Sequence, residues 1–163
     1  MGSTGGVTTL RAPRPRDWAA LVGFLVLCFG IAALGALATA GNVDGWYATA
    51  DKPSFTPPNW LFGPVWTVLY ALIAVSGWLV RHDRPALVAW SVQLVLNLAW
   101  SPLFFGLEQL WLGFAVIVAL DLAVVWTIAA ARRVRPVAAW LLVPYLAWVL
   151  FATALNLGLA LLN

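Results

Sequence analysis

Five apolar runs, at about 18–41, 60–80, 86–105, 110–131 and 137–162, alternate with polar connections along the 163-residue chain. Each run has the ~20 residues that a helix rising about 1.5 Å per residue needs to cross ~30 Å of hydrocarbon. The connections after the first are brief (RHDRP, GLEQ, RRVRP), so consecutive helices are expected to pack antiparallel as neighbours. The pattern predicts an all-α membrane protein, a five-transmembrane-helix bundle over residues 18–163 behind a flexible basic tail over 1–17. The tail is rich in Gly, Thr and Pro and carries Arg11, Arg14 and Arg16. The first run is longer than the apolar core of a signal peptide, and the chain after it is also membrane-embedded, so cleavage is not expected.

The first connection is of another kind. From Trp46 to Trp66 it reads WYATADKPSFTPPNWLFGPVW, with four prolines, three tryptophans, Tyr47, Phe55 and Phe62. Proline fixes φ and removes a donor, so no regular helix is expected before Pro64 has been passed. Residues preceding each proline are held toward extended backbone. A plain tether would use Gly and Ser. An aromatic, stiffened segment reads either as a lid over a pocket or as an interfacial loop lying among headgroups.

Polar side chains within hydrocarbon are costly and tend to face the bundle interior or a cavity. At 3.6 residues per turn, Trp90, Gln93, Asn97, Trp100 and Ser101 of the third run share an arc of about 100°. Tyr145, Trp148, Ala152 and Asn156 of the fifth share about 80°, and Trp66, Tyr70, Ile73 and Gly77 of the second about 60°. Three helices thus present aromatic and carboxamide stripes, with Gly77 and Ala152 leaving room beside the rings. That is how an apolar pocket with a few orienting groups is built. Isolated Asn and Gln also act as interhelical glue, worth about 0.6 kcal/mol each. Three stripes under one lid favour the pocket.

Trp18, Trp60, Trp78, Trp90, Trp111 and Trp140 sit near span ends, where interfacial anchoring is the default. Trp66, Trp100, Trp126 and Trp148 lie deeper, and Trp126 points away from Asp121 on its helix, toward lipid or packing. Asp121 is the one ionisable residue deep within a span. It reads as a protonated or hydrogen-bonded carboxyl facing a neighbouring helix, or as a proton or cation site. Pro144 is expected to kink the fifth helix and free a carbonyl near Trp148. Ala32, Ala36 and Ala40, with Gly30 and Gly35 nearby, permit close helix approach, inside the bundle or in a homodimer seam.

Composition sharpens this picture. Hydrophobic residues make up 63% of the chain and charged residues 9%, with a mean hydropathy of +0.92. Soluble domains carry about 25% charged residues. The net charge of +3 comes from residues at span ends, not from a phosphate-binding face, so no nucleic-acid partner is expected. Eight of the nine Lys and Arg fall in the tail and in the second and fourth connections (Arg81, Arg84, Arg132, Arg133, Arg135). The opposite side has Lys52, offset by Asp44, Asp51 and Glu108. The positive-inside rule then puts the N-terminus in the cytoplasm and the Trp46–Trp60 loop and C-terminus outside. A lone Cys28 and a lone His82 leave no cluster for zinc, which takes about four N/S ligands, and no metal site is expected.

Three stretches, WY…KPSFTPPNWLFGPVWTVLY (Trp46–Tyr70), QLVLNLAWSPLFFG (Gln93–Gly106) and LLVPYLAWVLFATALN (Leu141–Asn156), resemble the translocator protein/tryptophan-rich sensory protein (TspO/MBR) family. With the five-span count, the likeness covers nearly all of the chain beyond the tail. It implies a five-helix bundle, often dimeric, whose first loop closes over a pocket for porphyrins, haem-related tetrapyrroles and isoquinoline or benzodiazepine-type ligands. Carried over by position, that pocket uses Trp46, Tyr47, Pro57 and Trp66, then Asn97 and Trp100, then Trp148 and Ala152. Tyr70, Gln93 and Tyr145 join them from the stripes. Animal members carry a C-terminal cholesterol motif of a Tyr with a downstream Arg after the ATxLN stretch. Here ATALNLGLALLN has neither, so a sterol partner is not carried over.

The expected function is binding of tetrapyrroles and other flat hydrophobic ligands in sensing, regulation or transport, in a bacterial cytoplasmic membrane. A macrocycle would stack on Trp and Tyr faces while Asn97 or Gln93 orients its polar edge. No His or Met lies inside to ligate haem iron, so porphyrin is expected as ligand or substrate and no cofactor is required. An enzymatic alternative is light-dependent porphyrin degradation, implied by the resemblance, with Trp148, Trp66 and Trp46 as reacting residues. No nucleophile–base pair appears for ordinary hydrolysis. A structural or stress-interaction protein would bind no saturable ligand.

Overall fold

The computed structural model describes residues 15–40, 42 and 45–163. Arg11, Arg14 and Asp44 lie outside the described residues. Five helical spans long and apolar enough to cross a membrane are present: Pro15–Ala40, Asn59–Val80, Arg84–Gly106, Leu110–Val134 and Pro136–Leu162. No strand occurs among the described residues.

Helix α1 covers Pro15–Ala40, three residues ahead of the apolar run. Proline's fixed φ suits a first helical turn, and Asp17 there complements the positive end of the helix dipole. A short helix α2, Trp46–Thr49, opens the first connection. A single 3-10 turn at Asn59–Leu61 leads straight into α3, Phe62–Val80. Helix thus begins before Pro64, contrary to the expectation from proline alone. The first turn's N–H groups have no intrahelical acceptor, so a proline there loses nothing.

Helix α4, Arg84–Ser101, is capped by Asp83, whose carboxylate accepts from the Ala86 N–H at 2.9 Å. Such a cap is worth about 1 kcal/mol. A π-helical turn at Pro102–Gly106 widens the end of this span, and Glu108, at φ 55°, turns the chain into α5, Leu110–Val134. The fifth span divides into α6, Pro136–Leu141, and α7, Val143–Leu162. The division falls at Leu142, and Pro144 sits in the first turn of α7. Its missing donor therefore costs no intrahelical bond and does not fall beside Trp148.

Helix α4 packs along α5, α1 along α3, and α5 along α7 and α6. At one end of the bundle Val80, Ala86, Ala131, Ala138 and Ala139 close together, and the Ser76 hydroxyl donates to the Ala138 carbonyl at 2.9 Å. Small residues let these backbones approach, as hydrocarbon offers no hydrophobic drive of its own. Arg81 at this end pairs with Asp17, lies 5.0 Å from the Trp78 ring, and the Trp78 indole donates to the Asp17 carbonyl at 2.8 Å. Trp78 thus ties α3 to the start of α1. The Gly35 side of α1 meets Ser101 of α4, whereas Ala36 and Ala40 are exposed.

Candidate functional site

The first connection is fastened at five places. The Trp46 indole donates to the Phe105 carbonyl at 3.0 Å, on the π-turn. Tyr47 is buried against Phe104 and Phe105, with ring centroids 6.5 and 5.4 Å away, and the Lys52 ammonium sits 4.8 Å from its ring centre. Burial raises the Tyr47 hydroxyl pKa above its ordinary value. The Pro53 ring lies on Gly158 of α7, where an added Cβ would stand 2.4 Å from the proline Cγ. Asn163 then exchanges two hydrogen bonds with Asp51: its carboxamide oxygen accepts from the Asp51 N–H at 3.1 Å, and its nitrogen donates to the Asp51 carbonyl at 3.0 Å. Phe55 meets Phe151 at 6.3 Å. Pro57 is half-buried within this segment. The prolines make the segment stiff enough to be held by a few such points.

Beneath it, α3 and α7 face each other across an aromatic seam. Trp66 lies 5.4 Å from Tyr70 and 6.3 Å from Tyr145, centroid to centroid. Phe62 meets Trp148 edge-on at 5.7 Å, and Trp148 meets Phe151 at 5.5 Å. Trp66 and Trp148 are half-buried, whereas Tyr70, Tyr145 and Ala152 are buried. The α4 stripe supplies the polar floor. The Tyr70 hydroxyl donates to the Asn97 carboxamide oxygen, and the Asn97 nitrogen donates to the Tyr145 hydroxyl at 3.0 Å. One buried carboxamide therefore joins three helices, and each such buried bond nets roughly 1 kcal/mol.

Two polar groups in this region have no protein partner. The Trp148 Nε1 is buried without an acceptor. Gln93, one turn before Asn97, is 0% exposed, and neither its oxygen nor its nitrogen is bonded. Leaving a buried donor unpaired costs roughly 1–3 kcal/mol, so each of these groups calls for a partner such as an ordered water.

The sequence-predicted residues thus fall into three groups. Trp66, Tyr70, Asn97 and Tyr145 converge, with Trp148 along the same seam and Ala152 one turn further along α7. Trp46, Tyr47 and Trp100 belong to the loop's mooring: Trp100 stacks on Phe104 at 5.0 Å and its indole donates to the Asn156 oxygen at 3.1 Å, while Asn156 donates to the Leu110 carbonyl. Trp90 stands apart. Its ring occupies the space over Gly77, an added Cβ there lying 2.5 Å from Trp90 Cε2, and its indole donates to the Ile73 carbonyl at 2.9 Å. Gly77 therefore leaves room for Trp90, not for a guest, and of the two readings of Trp90, span-end anchor or inward stripe, the structure takes the second and makes it an α3–α4 pin. Sequence reasoning did not single out Phe104, Phe105 or Gly158 as mooring points, although PLFF after Trp100 and a glycine two residues beyond Asn156 were visible.

An open groove of about 310 Å³ lies on the outer side of the moored loop, lined by Trp46, Thr49, Ala50, Glu108, Leu110 and Asn163. Of the predicted site residues it includes Trp46. Among the described residues no group of three or more His, Cys, Asp or Glu could hold a metal ion. The seam itself presents ring faces of Trp66, Tyr70 and Tyr145 and the Asn97 carboxamide to one another.

Comparison with known proteins gives a consistent result. The TspO/MBR family model matches residues 24–162. A tryptophan-rich protein TspO of Archaeoglobus fulgidus is 44% identical over 148 residues, spanning 88% of this chain and 96% of that protein. The translocator protein of Bos taurus is 38% identical over 152 residues, spanning 85% of this chain and 87% of that one. The tryptophan-rich sensory protein of Cereibacter sphaeroides is 36% identical over 150 residues, spanning 90% and 93%.

Proposed function

The chain belongs to the TspO/MBR family, and from that premise we propose that it binds tetrapyrroles and related flat hydrophobic molecules in the aromatic seam between α3 and α7. It does so as a sensor, regulator or transporter of the translocator and sensory-protein kind. The observation that carries this reading is the Trp148 indole N–H, buried without an acceptor on the α7 face that carries Tyr145, with its ring against Phe62, one turn before Trp66. A planar guest laid against these rings would gain stacking contacts and supply the missing acceptor.

The moored first loop is the cover, and entry requires it to lift. The protein sits in a bacterial cytoplasmic membrane with its arginine-rich end inside; the crowding of Arg81, Arg84, Arg132, Arg133 and Arg135 into two connections supports that orientation. Tetrapyrrole binding needs no iron ligation, so metal-free protoporphyrin is the appropriate probe.

The test is quenching of tryptophan fluorescence by protoporphyrin in lipid nanodiscs. Saturable quenching is expected for the wild type, weakened about tenfold or more in Trp66→Ala and several-fold in Trp148→Phe. Non-saturable quenching, the same in all three proteins, would eliminate the reading in favour of a structural role.

A further inference from the structure

The ligand seam leaves Asp121 unused. Asp121 follows Leu110 by about three turns, about 16 Å along α5 and so near the middle of a ~30 Å hydrocarbon layer. It is 8% exposed. The Thr153 hydroxyl of α7 stands 2.8 Å from one carboxyl oxygen, Oδ2, and the other, Oδ1, is buried without a partner. The same hydroxyl stands 2.9 Å from the Val149 carbonyl.

Hydrogen accounting decides between two states of this triad. A threonine hydroxyl has one hydrogen and can serve only one of its two oxygen neighbours. If Asp121 were ionised, Thr153 would have to turn its hydrogen to Oδ2. A full negative charge would then rest in hydrocarbon on a single donor, with Oδ1 bare. Among the described residues no cation is placed to compensate it. The titratable side chains on the helices packed against α5 are Tyr145 on α7, Tyr70 on α3 and Arg84 at the exposed start of α4, and α6 brings none. On α5 itself, Arg132 and Arg133 lie about three turns further on, in its last turn. A buried charge without a partner is the costliest arrangement a membrane interior offers. If Asp121 instead carries a proton on Oδ2, it donates to Thr153 Oγ1, and Thr153 donates to the Val149 carbonyl. Every hydrogen then has an acceptor.

We propose that Asp121 and Thr153 form a proton-binding site in the membrane interior, with the carboxylic acid donating to the Thr153 hydroxyl and that hydroxyl to the Val149 carbonyl. Thr153 is the switch: on proton release the Asp121 O–H bond breaks, its electron pair stays on the carboxylate, the proton leaves on water, and the Thr153 hydrogen turns from Val149 to Oδ2. The site lies on α7 one turn beyond Val149 and so on the helix that carries Trp148. It does not rest on what the aromatic seam binds.

Infrared difference spectroscopy of the full chain in lipid bilayers at neutral pH, wild type against Asp121→Asn, tests this directly. The expected result is a protonated-carboxyl C=O band present in the wild type and lost in Asp121→Asn. The band should move to lower frequency after transfer to D2O and to higher frequency in Thr153→Val, with Thr153→Ser restoring its position. Carboxylate bands alone, a C=O band that never shifts in D2O, or one unmoved in Thr153→Val would each overturn the proposal. Thr153→Val leaves the acid in place, so the test survives if Asp121→Asn fails to fold.

Discussion

Pro53 rests on the bare backbone of Gly158, with so little clearance that a single methyl group at that position would stand 2.4 Å from the proline ring. The contact joins a stiff loop to the C-terminal half of α7, next to the Asp51–Asn163 exchange of hydrogen bonds. In Gly158→Ala the loop has to lift, because overpacking of this kind costs typically 1–3 kcal/mol and the exposed loop is softer than the helix. Limited proteolysis in the 51–58 segment should accelerate several-fold while the thermal midpoint of the bundle changes little. Unchanged cleavage would show that this contact does not hold the loop.

Asn97 serves two phenols at once. Asn97→Ala leaves both the Tyr70 and Tyr145 hydroxyls buried without their partner and should destabilise the bundle by about 2–4 kcal/mol. Tyr145→Phe removes one bond while Asn97 keeps Tyr70, and should cost about 1 kcal/mol. Unfolding in mixed detergent measures both. Equal losses in the two variants would mean that the carboxamide does not bridge.

The notch at Gly77 predicts a packing defect with no direct effect on the aromatic seam. Gly77→Ala pushes a methyl group into the Trp90 indole, at 2.5 Å from Cε2, and should cost about 1–3 kcal/mol. Trp90→Phe in the same chain should recover part of that loss, as a smaller ring vacates the space. A double-mutant cycle with no coupling would remove Trp90 from its role as the α3–α4 pin.

Tyr47 gives the loop a pH dependence. Its hydroxyl pKa is raised by burial, so the docked loop holds the phenol proton more tightly than the free loop. Docking is therefore undiminished below the ordinary phenol value of about 10 and weakens as pH climbs through the docked-state value. Fluorescence of Trp46, whose indole is held by the Phe105 carbonyl, should report undocking only at strongly alkaline pH, and Tyr47→Phe should abolish the transition. A transition near neutral pH would point to another group.

Much of the site could be read before any coordinates. Trp66, Tyr70, Asn97, Tyr145 and Trp148 were selected by helical periodicity alone, because an intramembrane polar or ring-bearing stripe has to face inward whatever its partner. The stiffness of the first connection is legible from its prolines, whereas its mooring on Phe105, Gly158 and Asn163 is not. The angle of Trp126 to Asp121 leaves it facing lipid or a packing partner, and its 49% exposure decides for the open face. Trp90 reads two ways from sequence, as a span-end ring and as part of the inward α4 stripe; its burial at 2% exposure decides for the stripe, and its partner, the Gly77 notch on α3, is something periodicity on α4 does not contain.

The sequence by itself determined the five spans, their alternation and the family, since hydropathy over ~20 residues is a sum that needs no neighbours and the tryptophan–proline motifs are local. The tertiary structure alone decided who meets whom: Asn97 between two tyrosines, Trp90 in the Gly77 notch, Trp46 at the Phe105 carbonyl, Asp121 against Thr153. Those pairings follow from the rotation and axial offset of each helix against the next, which are set by the fit of whole surfaces and by the few polar groups that must be satisfied within a medium offering no water.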